Sequence, residues 1–87
     1  MSSSVVEAVP RAQDVRVTED ELTVSLVDGR RVSVPLAWFP RLLHASPVQR
    51  SKWQLLGDGE GIHWPDVDED LSVAGMLRGT RAPQTSR

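Results

Sequence analysis

The chain has 87 residues, a formal net charge of −2 and no cysteine, which confines it to one domain and excludes disulfides, thiolate zinc sites and cysteine nucleophiles. No apolar run approaches the ~18 residues of a membrane-spanning helix. The opening Met-Ser-Ser-Ser has no charged region followed by an apolar stretch, so no secretory leader is expected and the cytoplasm is the expected compartment.

Residues 1–10 and 80–87 carry no sustained period and read as disordered tails flanking a domain at 11–79. Within it, Val15 and Val17 alternate with Asp14, Arg16 and Thr18. Leu22, Val24 and Leu26 follow the same rule, as do Val32 and Val34. Period two with one apolar face predicts three strands. A two-residue loop at Glu19-Asp20 pairs Val17 with Leu22 and Val15 with Val24, apolar against apolar. The second turn holds Asp28-Gly29. A two-residue loop there would set Leu26 opposite Arg31 and Val24 opposite Ser33. A three-residue loop, Val27-Asp28-Gly29, instead pairs Val24 with Val32 and Leu22 with Val34. It puts Gly29 where a left-handed backbone needs no Cβ, and is the predicted form.

After Pro35 the apolar residues Leu36, Phe39, Leu42 and Leu43 recur at helical steps. The expectation is a short turn at 36–39, then a helix with Pro40 in its first turn, ending near Ala45. Ser46-Pro47-Val48-Gln49 is a second helix start, with a serine cap, proline next and glutamine placed for a capping box. It ends near Lys52. Residues 53–56 and 61–64 predict a second hairpin around the Gly57–Glu60 loop, closed by Pro65. A last helix over 72–77 takes Asp70 or Ser72 as cap and Gly79 as its stop. The expected fold is α+β: an antiparallel β-meander plus a second short hairpin, packed on one face by two or three short helices. An open sheet edge leaves a homodimer by edge pairing available.

The runs Pro35–Arg50 (PLAWFPRLLHASPVQR), Trp53–Pro65 (W-x-L-x-G-x-G-x-G-I-H-W-P) and Asp66–Ser72 (D-x-D-E-D-L-S) together resemble a bacterial family of uncharacterised domains, domain-of-unknown-function family 2442. The resemblance spans about Val15 to Gly79 and implies a small α+β fold. It further implies a gene lying beside that of another small uncharacterised protein, hence an antitoxin-like or accessory subunit of a two-gene pair. Some members carry an added helix-turn-helix domain, for which 87 residues leave no room. The family supplies no catalytic residues to carry over.

Charge is unevenly distributed. Arg30, Arg31, Arg41, Arg50 and Lys52 occupy 29–57 with no acid, while Asp58, Glu60, Asp66, Asp68, Glu69 and Asp70 occupy 58–70 with no base. The blocks either pair with each other as ordinary surface ions or form a dipolar binding surface. Asp66-x-Asp68-x-Asp70 has the first three spacings of a calcium loop, but the sixth and twelfth positions are Leu71 and Leu77, so a turn followed by a helix cap is the simpler reading. His63 would need Asp66 or Asp68 to make a metal site, and His44 sits near a helix end, suited to its carbonyls. Trp38, Trp53 and Trp64 are expected in the core. As partner anchors, Trp64 beside the acidic knuckle comes first and Trp38 beside Arg41 second. No nucleophile elbow, phosphate loop or dinucleotide fingerprint is present.

The reading is a non-catalytic protein-binding module without cofactor or metal. Its partner-binding candidates are His63, Trp64, Asp66, Asp68, Glu69, Asp70, Trp38 and Arg41, and its expected partner is a small protein encoded next door. The alternatives are a nucleic-acid-linked regulator using the five basic residues, for which they are a weak footprint, and a metal or enzymatic site at His63 with the nearby aspartates.

Overall fold

A computed structural model of the protein describes residues 9–79. Its first three strands are β1 (Ala12–Val17), β2 (Glu21–Leu26) and β3 (Arg31–Pro35), in the order β1-β2-β3. Thr18 closes the first turn, its hydroxyl accepting from the amides of Asp20 and Glu21 at 3.2 and 3.0 Å. Val17 therefore faces Leu22, and Val15 faces Val24, as the alternation predicts. At the far end Ala12 faces Leu26 while Asp14 faces Ser25, leaving Gln13 as the extra residue of a bulge.

The β2–β3 turn is the three-residue form. The Leu26 amide donates to Arg30 O at 2.7 Å, Val24 faces Val32, Leu22 faces Val34, and Gly29 has φ +97. Asp28 braces the turn by accepting from the Arg30 amide and from Arg30 Nε. Those contacts, the backbone one foremost, hold its carboxyl below the usual range.

A 3₁₀ turn at Leu36–Trp38 leads into α1 (Pro40–Leu43) and α2 (Pro47–Ser51). The capping box at Ser46 is complete: Ser46 Oγ accepts the Gln49 amide at 3.1 Å, and Gln49 Oε1 accepts the Ser46 amide at 2.9 Å. Arg50 then turns inward. Only 9% exposed, it donates from Nε to Leu42 O at 2.9 Å and from a terminal nitrogen to Leu43 O at 2.8 Å. A cation from α2 thus adds a second donor to Leu42 O, which also accepts the Ala45 amide at 3.1 Å, and supplies one to Leu43 O at the end of α1.

The second half extends the predicted hairpin. β4 (Gln54–Leu56) and β5 (Gly61–Trp64) are joined by β6 (Glu69–Ser72), giving a second three-stranded antiparallel sheet, β4-β5-β6. Ile62 faces Leu71 and Trp64 faces Glu69, while His63 faces Asp70 on the other side. Ser72, not Asp70, caps α3 (Val73–Arg78), accepting the Gly75 amide at 3.1 Å. Gly79 ends that helix at φ +84.

Both sheets turn their apolar faces to one core. Val15, Leu22, Val24, Leu26 and Val34 meet Ile62, Trp64 and Leu71, with Leu36, Phe39, Leu42, Val73 and Met76 from the helical segments between and after them. The β4–β5 loop fastens the halves. The Ala12 amide donates to Gly59 O at 2.7 Å, while the Val73 amide, donating to Glu60 O at 3.0 Å, ties the same loop to the start of α3. No helix among the described residues is long and apolar enough to cross a membrane. The tails expected at 1–10 and 80–87 lie outside the described residues, apart from Val9 and Pro10, which have no regular structure.

Candidate functional site

The acidic segment does not form one knuckle, because β6 divides it between two faces. Trp64, expected in the core and named first among the alternative surface anchors, is fully buried, and its indole N–H donates to Arg50 O at 3.0 Å. Alternation along β5 explains the correction: Ile62 and Trp64 face the core, leaving Gly61 and His63 outside. Glu69 is corrected on the same grounds. It stands opposite Trp64 on the inner face and is 8% exposed.

Burial pushes the Glu69 carboxyl up from its ordinary value. Arg41 opposes the shift, and Asp70 and Asp68 add to it. The native state therefore keeps a proton that the unfolded chain has already released at the same pH. The group's contribution to stability falls as pH rises from the ordinary glutamate value through the raised one, and stays lost above it. Glu69→Gln mimics the neutral form. The variant is expected to melt about 2–5 °C above the parent at pH 7, with the margin shrinking towards zero as pH falls to about 4. Thermal melts across that range check it, and a margin independent of pH would remove the carboxyl as the cause.

The remaining candidates hold one another. Arg41 donates to Asp68 O at 2.6 Å, steadying a residue whose φ is +53. Lys52 lies 3.7 Å from Asp66. Trp38 is half-buried and packs against the core. With Arg50 internal and Arg30 paired to Asp28 at 2.8 Å, four of the five basic residues of 29–57 are engaged within the molecule. Among the described residues no three His, Asp or Glu side chains converge on a point that would suit a metal ion. His44 is the exposed C-cap of α1.

What lies exposed is the outer face of the second sheet. His63 Nδ1 and Asp70 Oδ1 hydrogen-bond across β5 and β6. Beside them an open trough of about 490 Å³ is lined by Leu56, Glu60, Gly61, Asp70 and Ser72. Gly61 makes its floor: a Cβ there would lie 3.3 Å from Leu71 O and 3.4 Å from Leu56 Cβ. Leu56 is 42% exposed at the rim, and Leu55, on the opposite face across from Ile62, is 38% exposed at the sheet edge. Asp58 and Glu60 flank them in the β4–β5 loop, with no ion pair to either among the described residues. On this surface His63 and Asp70 are partner-binding candidates of the sequence, whereas Leu56, Gly61 and Ser72 are passed over. The signal was Leu55-Leu56 in so short a strand, since alternation must turn one of the two outward.

A family model described as a protein of unknown function (DUF2442) matches residues 12–82. The chain belongs to this family. A crystal structure of a protein of unknown function from Rhodospirillum rubrum is similar over 88% of this chain and 95% of that one, with 30% identity and a TM-score of 0.75. An uncharacterised protein from Chromobacterium violaceum, solved by NMR, shares the fold at 21% identity and a TM-score of 0.71, over 84% of this chain and 69% of that one. No curated protein matches the sequence.

Proposed function

We propose that the chain is a non-catalytic protein-binding module, the antitoxin-like or accessory subunit of a cytoplasmic two-gene pair. It engages its partner with the outer face of the β4-β5-β6 sheet. The observation that carries this reading is the trough. It has an apolar wall at Leu56, a bare backbone floor at Gly61 and a carboxylate rim at Glu60 and Asp70. A side chain with an apolar stem and a cationic head fits such a surface, the stem against leucine and the head between the acids. Arginine is enriched at interface hot spots for this combination of properties. The His63–Asp70 pair fixes one bank in place, so little side-chain freedom is lost on binding.

The test is co-expression with the product of the adjacent gene, followed by size-exclusion chromatography. Co-elution is expected, and Leu56→Glu, a change at an exposed position, should abolish it. Two independently eluting proteins would defeat the proposal.

A further inference from the structure

Strand edges usually carry a device against unwanted pairing, such as a charge, a proline or a cover. In the first sheet β1 bears Asp14 and Arg16 and is docked at Ala12 by the Gly59 carbonyl, while β3 bears Arg31 and ends in Pro35. In the second sheet β6 bears Glu69 and Asp70. β4 differs. It reads Gln54-Leu55-Leu56, all three residues are exposed, and it holds neither charge nor proline.

The hydrogen-bonding parity of β4 follows from the far side of its sheet. The Val73 amide donates to Glu60 O, so the residues of β5 that bond towards β6 are Ile62 and Trp64, and those that bond towards β4 are Gly61 and His63. Their partners, Leu56 and Gln54, spend their backbone groups on β5. Leu55 points its N–H and C=O away from the sheet.

We infer that two copies of this chain pair antiparallel through β4, about a twofold axis at Leu55, to form one continuous six-stranded sheet from two three-stranded ones. On that axis the outward amide and carbonyl of Leu55 meet those of Leu55 in the second copy. Trp53 falls opposite Gly57, and Gln54 opposite Leu56, which covers the exposed leucine. The same register brings Lys52, which lies 3.7 Å from Asp66 in the single chain with its side chain largely exposed, towards Asp58 of the second copy, one ionic contact at each end of the ladder. A symmetric interface of this kind needs a self-complementary patch, and the segment Lys52–Asp58 is one, with cation and acid equidistant from Leu55. The contact is small, so a dissociation constant of about 10–100 µM is expected.

The inference goes beyond the proposed function, because the second copy takes the edge of the sheet: it covers Leu56 at one wall of the trough and leaves Glu60, Gly61 and Asp70 open. Light scattering on the full chain should show the mass approaching twice 9.6 kDa as concentration rises. Leu55→Pro removes a donor that the monomer does not use, so it should keep the parent's circular dichroism and weaken the dimer at least about tenfold. In the unaltered chain the Leu55 amide should exchange with deuterium freely when dilute and slowly when concentrated, a readout that stands even where the proline variant fails to fold. A mass that stays at one chain at about 1 mM, or a dimer that survives Leu55→Pro with Leu55 still exchanging, overturns the inference. A monomer that still co-elutes with the adjacent gene's product would overturn it and leave the proposed function standing.

Discussion

Gly59→Ala is expected to lower Tm by about 15–25 °C, whereas alanine at Gly29, Gly57 or Gly79 is expected to be tolerated. All four glycines have positive φ, and a side chain in that region costs about 1 kcal/mol or more by itself. The difference is space. A Cβ at Gly29, Gly57 or Gly79 meets nothing within 4 Å, while at Gly59 it lies 2.5 Å from Ala12 O and 3.1 Å from Ala12 N. Both are main-chain atoms of a bulged strand and cannot swing aside as a side-chain end could. Relief requires moving the β4–β5 loop off β1, which sacrifices the 2.7 Å hydrogen bond from the Ala12 amide to Gly59 O and leaves a donor beside buried Ala12 without a partner. Strain, clash and lost bond together reach about 3–4 kcal/mol. A domain of this size has a stability of about 4–13 kcal/mol in all, so a fall in Tm of about 15–25 °C follows. Parallel thermal melts of the four alanine variants check this. If Gly59→Ala melts with the other three, the loop does not clamp β1 as described.

The same glycine shows where sequence reasoning stops. Its loop could be placed between two strands from the sequence, but a close approach to Ala12, 47 positions away, leaves no local mark. The first meander was legible from Val15 onward, though not the bulge at Gln13, because alternation on three consecutive strands over-determines the register and decides even the β2–β3 loop length. The serine cap of α2 was legible for a similar reason, since its chemistry lies within four residues. β6 was not. Its inner positions are Glu69 and Leu71, so half of the apolar signal is a carboxylate, and a run of acids reads more naturally as turn and cap. Missing β6 left the acidic segment undivided between the two faces of the sheet. Without a third strand His63 and Trp64 sit at the end of a hairpin, where either could face solvent. With it, β5 is the central strand, Trp64 is enclosed, and the outer face, with Gly61 at its floor, becomes the available surface.

Arg50→Met is expected to lower Tm by about 10–20 °C, corresponding to about 2–3 kcal/mol. Two terms oppose each other at this position. Removing a buried guanidinium relieves the cost of taking a charge out of water, and no carboxylate pairs with it among the described residues. Against that, the Leu42 and Leu43 carbonyls lose charged donors at 2.9 and 2.8 Å, and only Leu42 O keeps a backbone donor, the Ala45 amide at 3.1 Å. Hydrogen bonds to a charged group contribute about 1.5–3 kcal/mol each, and methionine returns none of it while keeping part of the stem's packing. The loss of two such bonds outweighs the relief, because the guanidinium already spreads its charge over carbonyls at a helix end, where cations are favoured. Arg50→Lys should fall between the two, since one ammonium keeps the charge but lacks the planar fork that spans adjacent carbonyls. The indole of Trp64 grips the Arg50 carbonyl at 3.0 Å, so α1, α2 and β5 meet at this residue through both its side chain and its backbone. Trp64→Phe combined with Arg50→Met should then destabilise by an amount that departs from the sum of the two by about 0.5 kcal/mol or more. Strict additivity, or an Arg50→Met protein as stable as its parent, would show that the α1 carbonyls find other donors and that the buried cation does not join these elements.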